Sequence, residues 1–265
     1  MKNLAKNEIR RLEQLIDGLA DPEDIDETVH TTRKGIKRLR SYLRLARKSI
    51  GTTTYRVENG ALRDTARLLA PARDAFVLIE TASGLAANED VINVLANRHR
   101  EALAELESGG RIQSRRRLEA IAARWRITVS SSPDAASIGA GLRRTYRRGL
   151  VDFERVSATA SDEAFHGWRR RTKYLRYQLE ALGAPKKLIS GYLHLGDDLG
   201  LEHDHTVLLS VCEECSGFPG FDKVAQRAVE QQGALRERAF ERGAVLFSDE
   251  PGSFQRTVET ALHLG

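Results

Sequence analysis

Cysteine is scarce in this 265-residue chain: Cys212 and Cys215 are the only two, in one CEEC run. A structural zinc site needs four ligands, and the nearby His203 and His205 stand two residues apart, which makes them diverge on a helix. A thioredoxin-like role needs a βαβ setting that the surrounding pattern lacks. Two free thiols are therefore expected. Long apolar runs are missing as well, so no segment is expected to span a membrane. The N-terminal MKNLAKNEIRRLEQL has no signal-peptide core. Together with the low cysteine usage, this places the chain in the cytoplasm. The sequence also lacks a nucleophile–base pair, a phosphate-cradling glycine loop and clustered carboxylates for magnesium. No enzyme activity, metal or cofactor is expected.

Aromatic residues make up only 6 % of the chain, against 30 % charged. With abundant Leu, Ala, Arg and Glu, that balance suits helical bundles rather than sheets. The net charge is only +5, with a pI near 9.3, but it is unevenly distributed. Residues 33–48 hold eight Lys or Arg and no acid, and 169–176 hold five and no acid. Solvated helices usually interleave the two signs. Clustering of this kind points to an anionic partner.

The clusters are copies of one pattern. HTTRKGIKRLRSYLRL from His30 and HGWRRRTKYLRYQLEAL from His166 align in register: Arg33 with Arg169, Lys34 with Arg170, Lys37 with Lys173, Arg40 with Arg176, Leu39 with Leu175 and Leu43 with Leu179. A second echo follows each copy, with Asp74 matching Asp204 and Val77-Leu78 matching Val207-Leu208. Self-similarity on this scale implies a duplicated structural unit. On a helical projection, Leu39, Leu43, Ala46 and Ile50 face the core, with Ile36 at the edge. His30, Arg33, Lys37, Arg40 and Arg44 form a flanking row ~21 Å long at the α-helical rise. In the second copy Trp168, Thr172, Leu175, Leu179 and Leu182 are buried, and His166, Arg169, Lys173 and Arg176 take the flank. A cation on the flank has its stem held by packing while its head reaches a groove.

The periodicity predicts helices at about 2–19, 25–50, 55–69, 72–84, 88–107, 111–126, 139–157, 161–183, 186–199, 202–214, 221–242 and 251–263, with no strand. TVSSSPDAASIGA at 128–140 reads as the connector between halves 1–127 and 138–265. Gly35 interrupts the first basic helix, at a cost of up to ~1 kcal/mol relative to alanine.

The paired HxxR[K/R]xxK[R/Y]LR runs, each followed by a D-x-x-V-L segment, and GLRRTYRRGL at 141–150 resemble the CHAD domain, an α-helical domain named for conserved histidines. The resemblance spans essentially the whole chain. It implies two antiparallel helical bundles related by a pseudo-twofold axis, superposing His30 on His166. It also implies a basic groove that binds inorganic polyphosphate. The family occurs fused to triphosphate-tunnel enzymes, and no such β-barrel segment is present in this sequence. Lys37 and Lys173 depart from the arginines expected there. Polyphosphate presents closely spaced charges without bases, so a track of Lys and Arg is enough to bind it. Single-stranded nucleic acid calls for stacking platforms, and the basic runs offer only Tyr42, Tyr174 and Tyr177.

The expected polyphosphate-binding residues are thus His30, Arg33, Lys34, Lys37, Arg40, Arg44, His166, Arg169, Arg170, Lys173 and Arg176, with Arg143, Arg144, Arg147 and Arg148 lining the same groove from an adjacent helix. Asp74 and Asp204 read as partners that orient a basic side chain or cap a helix. The expected partner is inorganic polyphosphate or another linear polyanion, with polyphosphate-associated proteins and a place at polyphosphate granules in prospect. Two other readings remain: a nucleic-acid-binding protein, and an accessory subunit that recruits a polyphosphate- or nucleotide-processing enzyme.

Overall fold

A computed structural model describes residues 3–129 and 131–263. Lys2, in the first expected helix, and Ser130, in the expected connector, lie outside them. The described residues form α-helices and no strand. In chain order these are α1 (Leu4–Ala20), α2 (Ile25–Ile50), α3 (Thr52–Leu68), α4 (Ala70–Gly84), α5 (Glu89–Glu105), α6 (Arg111–Thr128), α7 (Ala135–Thr159), α8 (Asp162–Leu182), α9 (Lys186–Glu214), α10 (Phe221–Leu246) and α11 (Pro251–Ala261). A π-helical turn at Leu106–Gly110 joins α5 to α6.

The two basic helices have well-defined ends. Asp24 caps α2 by accepting from the Asp26 and Glu27 amides, and Ser161 caps α8 by accepting from the Ala164 amide. Asp26 and Glu27 occupy the first turn of α2, Asp162 and Glu163 that of α8, while Arg47 and Lys48 close α2. This distribution complements the helix macrodipole. Gly51 and Gly183 terminate the two helices with φ of 82° and 70°, where a Cβ would be strained.

Two expectations about helix boundaries need correction. The connector is short, because Asp134 caps α7 through the Ser137 amide and the helix starts at Ala135 rather than near 139. The break expected between 199 and 202 does not occur, since α9 runs unbroken through Gly200. In the first half, Pro71 opens α4 and separates it from α3. The aligned position in α9 is Leu201, which keeps its backbone N–H and allows the helix to continue.

Helix α2 packs against α1, α3, α7 and α8, and α9 packs against α4, α8 and α10. Leu39, Leu43, Leu175 and Leu179 are buried, as their helical faces predict. The main core cluster draws on both halves, from Leu4 to Val258. A second cluster joins Leu78, Val91 and Leu95 to Leu208, Cys212 and Phe221. Both cysteines are free and buried within it. Across the halves, Ser41 Oγ donates to the Tyr174 carbonyl at 2.6 Å and Gln178 Nε2 donates to the Ser41 carbonyl at 3.2 Å. These bonds fix α2 beside α8.

Two glycines make close crossings possible. A Cβ at Gly35 would lie 2.6 Å from Leu15 Cδ1, so the glycine that weakens α2 also lets α1 approach it. A Cβ at Gly141 would lie 2.6 Å from the Leu45 carbonyl oxygen, where α7 meets the α2 backbone. Gly60 in α3 has nothing within 4 Å of its added Cβ. Gly60→Ala is therefore expected to stabilise the fold by up to ~1 kcal/mol through helix propensity, whereas Gly141→Ala should destabilise it. Chemical denaturation distinguishes them, and equal shifts of the same sign would refute this packing argument. Leu39→Ala and Leu175→Ala should each cost ~2–5 kcal/mol through cavity formation.

A basic pocket between the paired helices

Because α2 and α8 lie side by side, their cationic flanks meet across a pocket of about 770 Å³. From α2 it is lined by His30, Arg33, Lys34, Lys37 and Arg40, and from α8 by His166, Arg169, Arg170, Lys173 and Arg176. The lining holds ten Lys or Arg against four acids, Asp74, Glu180, Asp197 and Asp204, so an excess of positive charge gathers in one pocket open to solvent. Lys34, His166 and Arg170 are exposed at the surface, whereas Arg176 is buried.

Carboxylates and carbonyls hold the arginines. Arg33 donates to Asp74 Oδ1 and to the Ala66 carbonyl, both at 3.1 Å. Its sequence counterpart Arg169 lies 3.9 Å from Asp204, the counterpart of Asp74. Asp74 thus orients Arg33 through a hydrogen bond, while Asp204 stands beside Arg169 at ion-pair distance only. Arg40 donates to Asn59 at 3.2 Å, and Arg176 pairs with Glu180 at 3.1 Å. Among the described residues the buried Nε of Arg169 has no hydrogen-bond partner, an unpaired donor at the pocket wall.

No carboxylate lies within ion-pair distance of either lysine among the described residues. Burial first, then Arg169, pushes Lys37 down to about 8 and Lys173 to about 7; Arg33 also lowers Lys37, and Lys37 itself lowers Lys173. Lys173 runs past two glycines: a Cβ at Gly196 would stand in ordinary contact, 3.7 Å from Lys173 Cγ, and one at Gly200 3.4 Å from its Nζ. Both glycines lie on α9, one helical turn apart.

The histidines are not cations here. Burial, then Arg73, lowers His30, and burial, then Arg169, lowers His166. The His166 ring lies 4.7 Å from that of His203, which burial, Arg169 and His166 hold down to about 3. All three are neutral at pH 7, able to donate through one ring nitrogen and accept through the other.

The remaining expected residues lie elsewhere. Arg44, Arg144 and Arg148 line a separate cleft, and Arg143 and Arg147 line neither, being exposed on α7. The reason is helical phase. Gly141, Leu142, Thr145, Tyr146 and Gly149 form the buried face of α7, with Arg144 and Arg148 one turn apart along one edge and Arg143 and Arg147 along the other. Sequence reasoning missed Arg38, Arg73, Tyr177 and His203, which also line the pocket. A signal for two of them was present: in the Asp74/Asp204 register, Arg73 aligns with His203. His205 instead faces a different cavity, between α4, α9 and α10, so the two histidines diverge as their spacing requires.

Both lysines bind protons less tightly when folded than when unfolded, so the unfolded chain holds more protons between their folded values and the ordinary lysine value. Stability without ligand should therefore rise with pH from about 7 towards 10, and the penalty should be fully present below about 7. In the Lys37→Met/Lys173→Met variant this rise should flatten, and stability at pH 6.5 should exceed that of the parent. Urea denaturation at pH 6.5 and 9.5 checks both; an unchanged difference between the two pH values would contradict the burial of these ammonium groups.

The structure resembles the crystal structure of the CHAD domain from the plant Ricinus communis, with a TM-score of 0.56 over 98 % of this chain and 89 % of that one, at 20 % sequence identity. At that identity the likeness concerns the fold. No curated protein matches the chain. The CHAD domain family model matches residues 4–213, and with most of its length covered the chain belongs to the CHAD domain family.

Proposed function

We infer that the central pocket binds inorganic polyphosphate, or another linear polyanion, without catalysing a reaction on it. The observation that carries this reading is the excess of ten basic side chains over four acids in one pocket. Such a pocket favours a ligand that brings many negative charges in a line, because each phosphate met by a guanidinium or ammonium relieves repulsion already present. Arginine forks two oxygens and lysine supplies a point charge. The mixed lining suits a chain with no fixed conformation.

The aromatic residues favour polyphosphate over single-stranded nucleic acid. Arg44 lies 3.9 Å from the centroid of the Tyr174 ring, and Arg176 and Arg38 lie 4.5 and 5.1 Å from that of Tyr177. Rings already occupied by guanidinium groups are poorly placed to stack bases. On this reading α2 with α3–α4 and α8 with α9 are two copies of one unit, each supplying a histidine-headed basic row and an aspartate beside an arginine. Among the described residues no helix is long and apolar enough to cross a membrane. The proposed setting is the cytoplasm, at polyphosphate granules, with polyphosphate-associated proteins as neighbours.

Polyphosphate affinity should fall steeply with added salt through counterion release; binding indifferent to salt would point to a non-ionic ligand. Replacing Arg33, Lys37 and Arg40 together with alanine, or Arg169, Lys173 and Arg176 together, should weaken binding strongly with the helical fold retained. Arg115, Arg116 and Arg117 on α6 lie outside the pocket, and their triple replacement should do much less. Titration with polyphosphate of defined length, with duplex DNA as competitor, measures these effects. Equal losses for all three triples would mean a diffuse cationic surface rather than a pocket.

A further inference from the structure

Beyond Arg40, the basic row of α2 leaves the central pocket and enters a second cleft. Arg44 and Arg47 from α2 converge there with Arg144 and Arg148 from α7 and Arg171 from α8. Among the described residues no Asp or Glu lines this cleft. Asp152 Oδ2 stands 3.3 Å from Arg171 Nε, but the alignment leaves that buried N–H without a hydrogen bond. Five like charges therefore face one another with one misaligned counter-charge nearby.

The central pocket can relieve its repulsion by releasing lysine protons and by using its own carboxylates. The arginine cleft has neither route, because guanidinium groups stay charged at any working pH. Burial draws Arg44, Arg144 and Arg171 downward, and for Arg144 the neighbouring Arg47 and Arg148 add to it. Cation–π contacts hold two of the five in place: Arg44 lies 3.9 Å from the Tyr174 centroid and Arg47 4.9 Å from that of Tyr55. Arg44 also donates from Nη1 to the Arg40 carbonyl at 2.5 Å, and a guanidinium whose face is engaged in this way keeps its remaining edge N–H groups for oxygen acceptors.

We propose that this cleft is a second anion site, which grips a phosphate-type oxyanion through the five arginines and fills independently of the central pocket. Its enclosed space is about 10 Å³, enough for one oxygen-sized group, so it holds the edge of a phosphate rather than engulfing a ligand. Tyr174 lines both sites, and Arg40 to Arg44 is one helical turn, ~6 Å along the axis. A short phosphate chain occupies one site or the other, and a long one bridges both. The phosphate class of the ligand rests on the reading of the central pocket; the existence of a second anion site rests on the arginine geometry alone.

Calorimetric titration of the full chain with tripolyphosphate at low salt tests the proposal. Two sites per chain are expected. Arg144→Ala/Arg148→Ala should remove one, and the Arg33→Ala/Lys37→Ala/Arg40→Ala triple should remove the other. With long-chain polyphosphate, Arg144→Ala/Arg148→Ala should weaken binding by about 10-fold or more, through lost bridging. Arg143→Ala/Arg147→Ala, exposed on the same helix and outside both sites, should change neither, and thermal melts followed by circular dichroism verify that each variant folds. A parental site count that Arg144→Ala/Arg148→Ala leaves unchanged, or an equal loss in Arg143→Ala/Arg147→Ala, would each overturn the proposal. Failure of the central-pocket reading gives a different pattern: the parent shows one site, which Arg144→Ala/Arg148→Ala removes and the central triple leaves intact.

Discussion

Repulsion between basic side chains gathered in one pocket is the constraint on which the rest of this structure depends. Apolar packing brings α2 and α8 together, and their flanking cations must then share a volume of about 770 Å³. Three features make that tolerable without ligand. Asp74 and Asp204 each stand beside an arginine. The two lysines hold their protons weakly. The three histidines are neutral at pH 7. On the proposed reading, each adjustment leaves an anionic ligand something to gain, since bound phosphates would return protons to the lysines.

The Lys departures at 37 and 173 acquire a physical meaning in this setting. An arginine at either position would remain charged, adding repulsion that deprotonation could not remove. Lysine lets the empty pocket lower its charge at neutral to mildly alkaline pH. Gly196 and Gly200 on α9 lie alongside Lys173, each close enough that an added Cβ would come into contact with its side chain.

Much of this was legible in the sequence. The cationic row beside an apolar stripe identified both α2 and α8 and the side each buries, because burial of Leu39, Leu43, Leu175 and Leu179 fixes the helical phase and hence the position of every charge on the flank. The Asp74/Asp204 match located the acids that stand beside Arg33 and Arg169. Crossings between helices were not legible. Nothing local in Ser41 or Gln178 says that they bond across the halves, and the role of Gly35 depends on Leu15 from another helix. The α7 arginines show the same limit. Four basic residues in a row of eight look like one surface, but tertiary contacts choose which edge of α7 faces α2 and α8. Continuity of α9 was missed because Gly200 reads as a break, although packing against α4, α8 and α10 supports it.

If the pocket relieves repulsion by holding its lysines partly deprotonated and regains those protons with a polyanion, binding and protonation are coupled. Calorimetric titration with long-chain polyphosphate at pH 8, in buffers of different ionisation enthalpy, counts the protons exchanged. Uptake of about one to two protons per chain is predicted from the two lysine values, falling towards zero in the Lys37→Met/Lys173→Met variant. Binding with no proton uptake in the parent protein, or with uptake unchanged in that variant, would contradict the account.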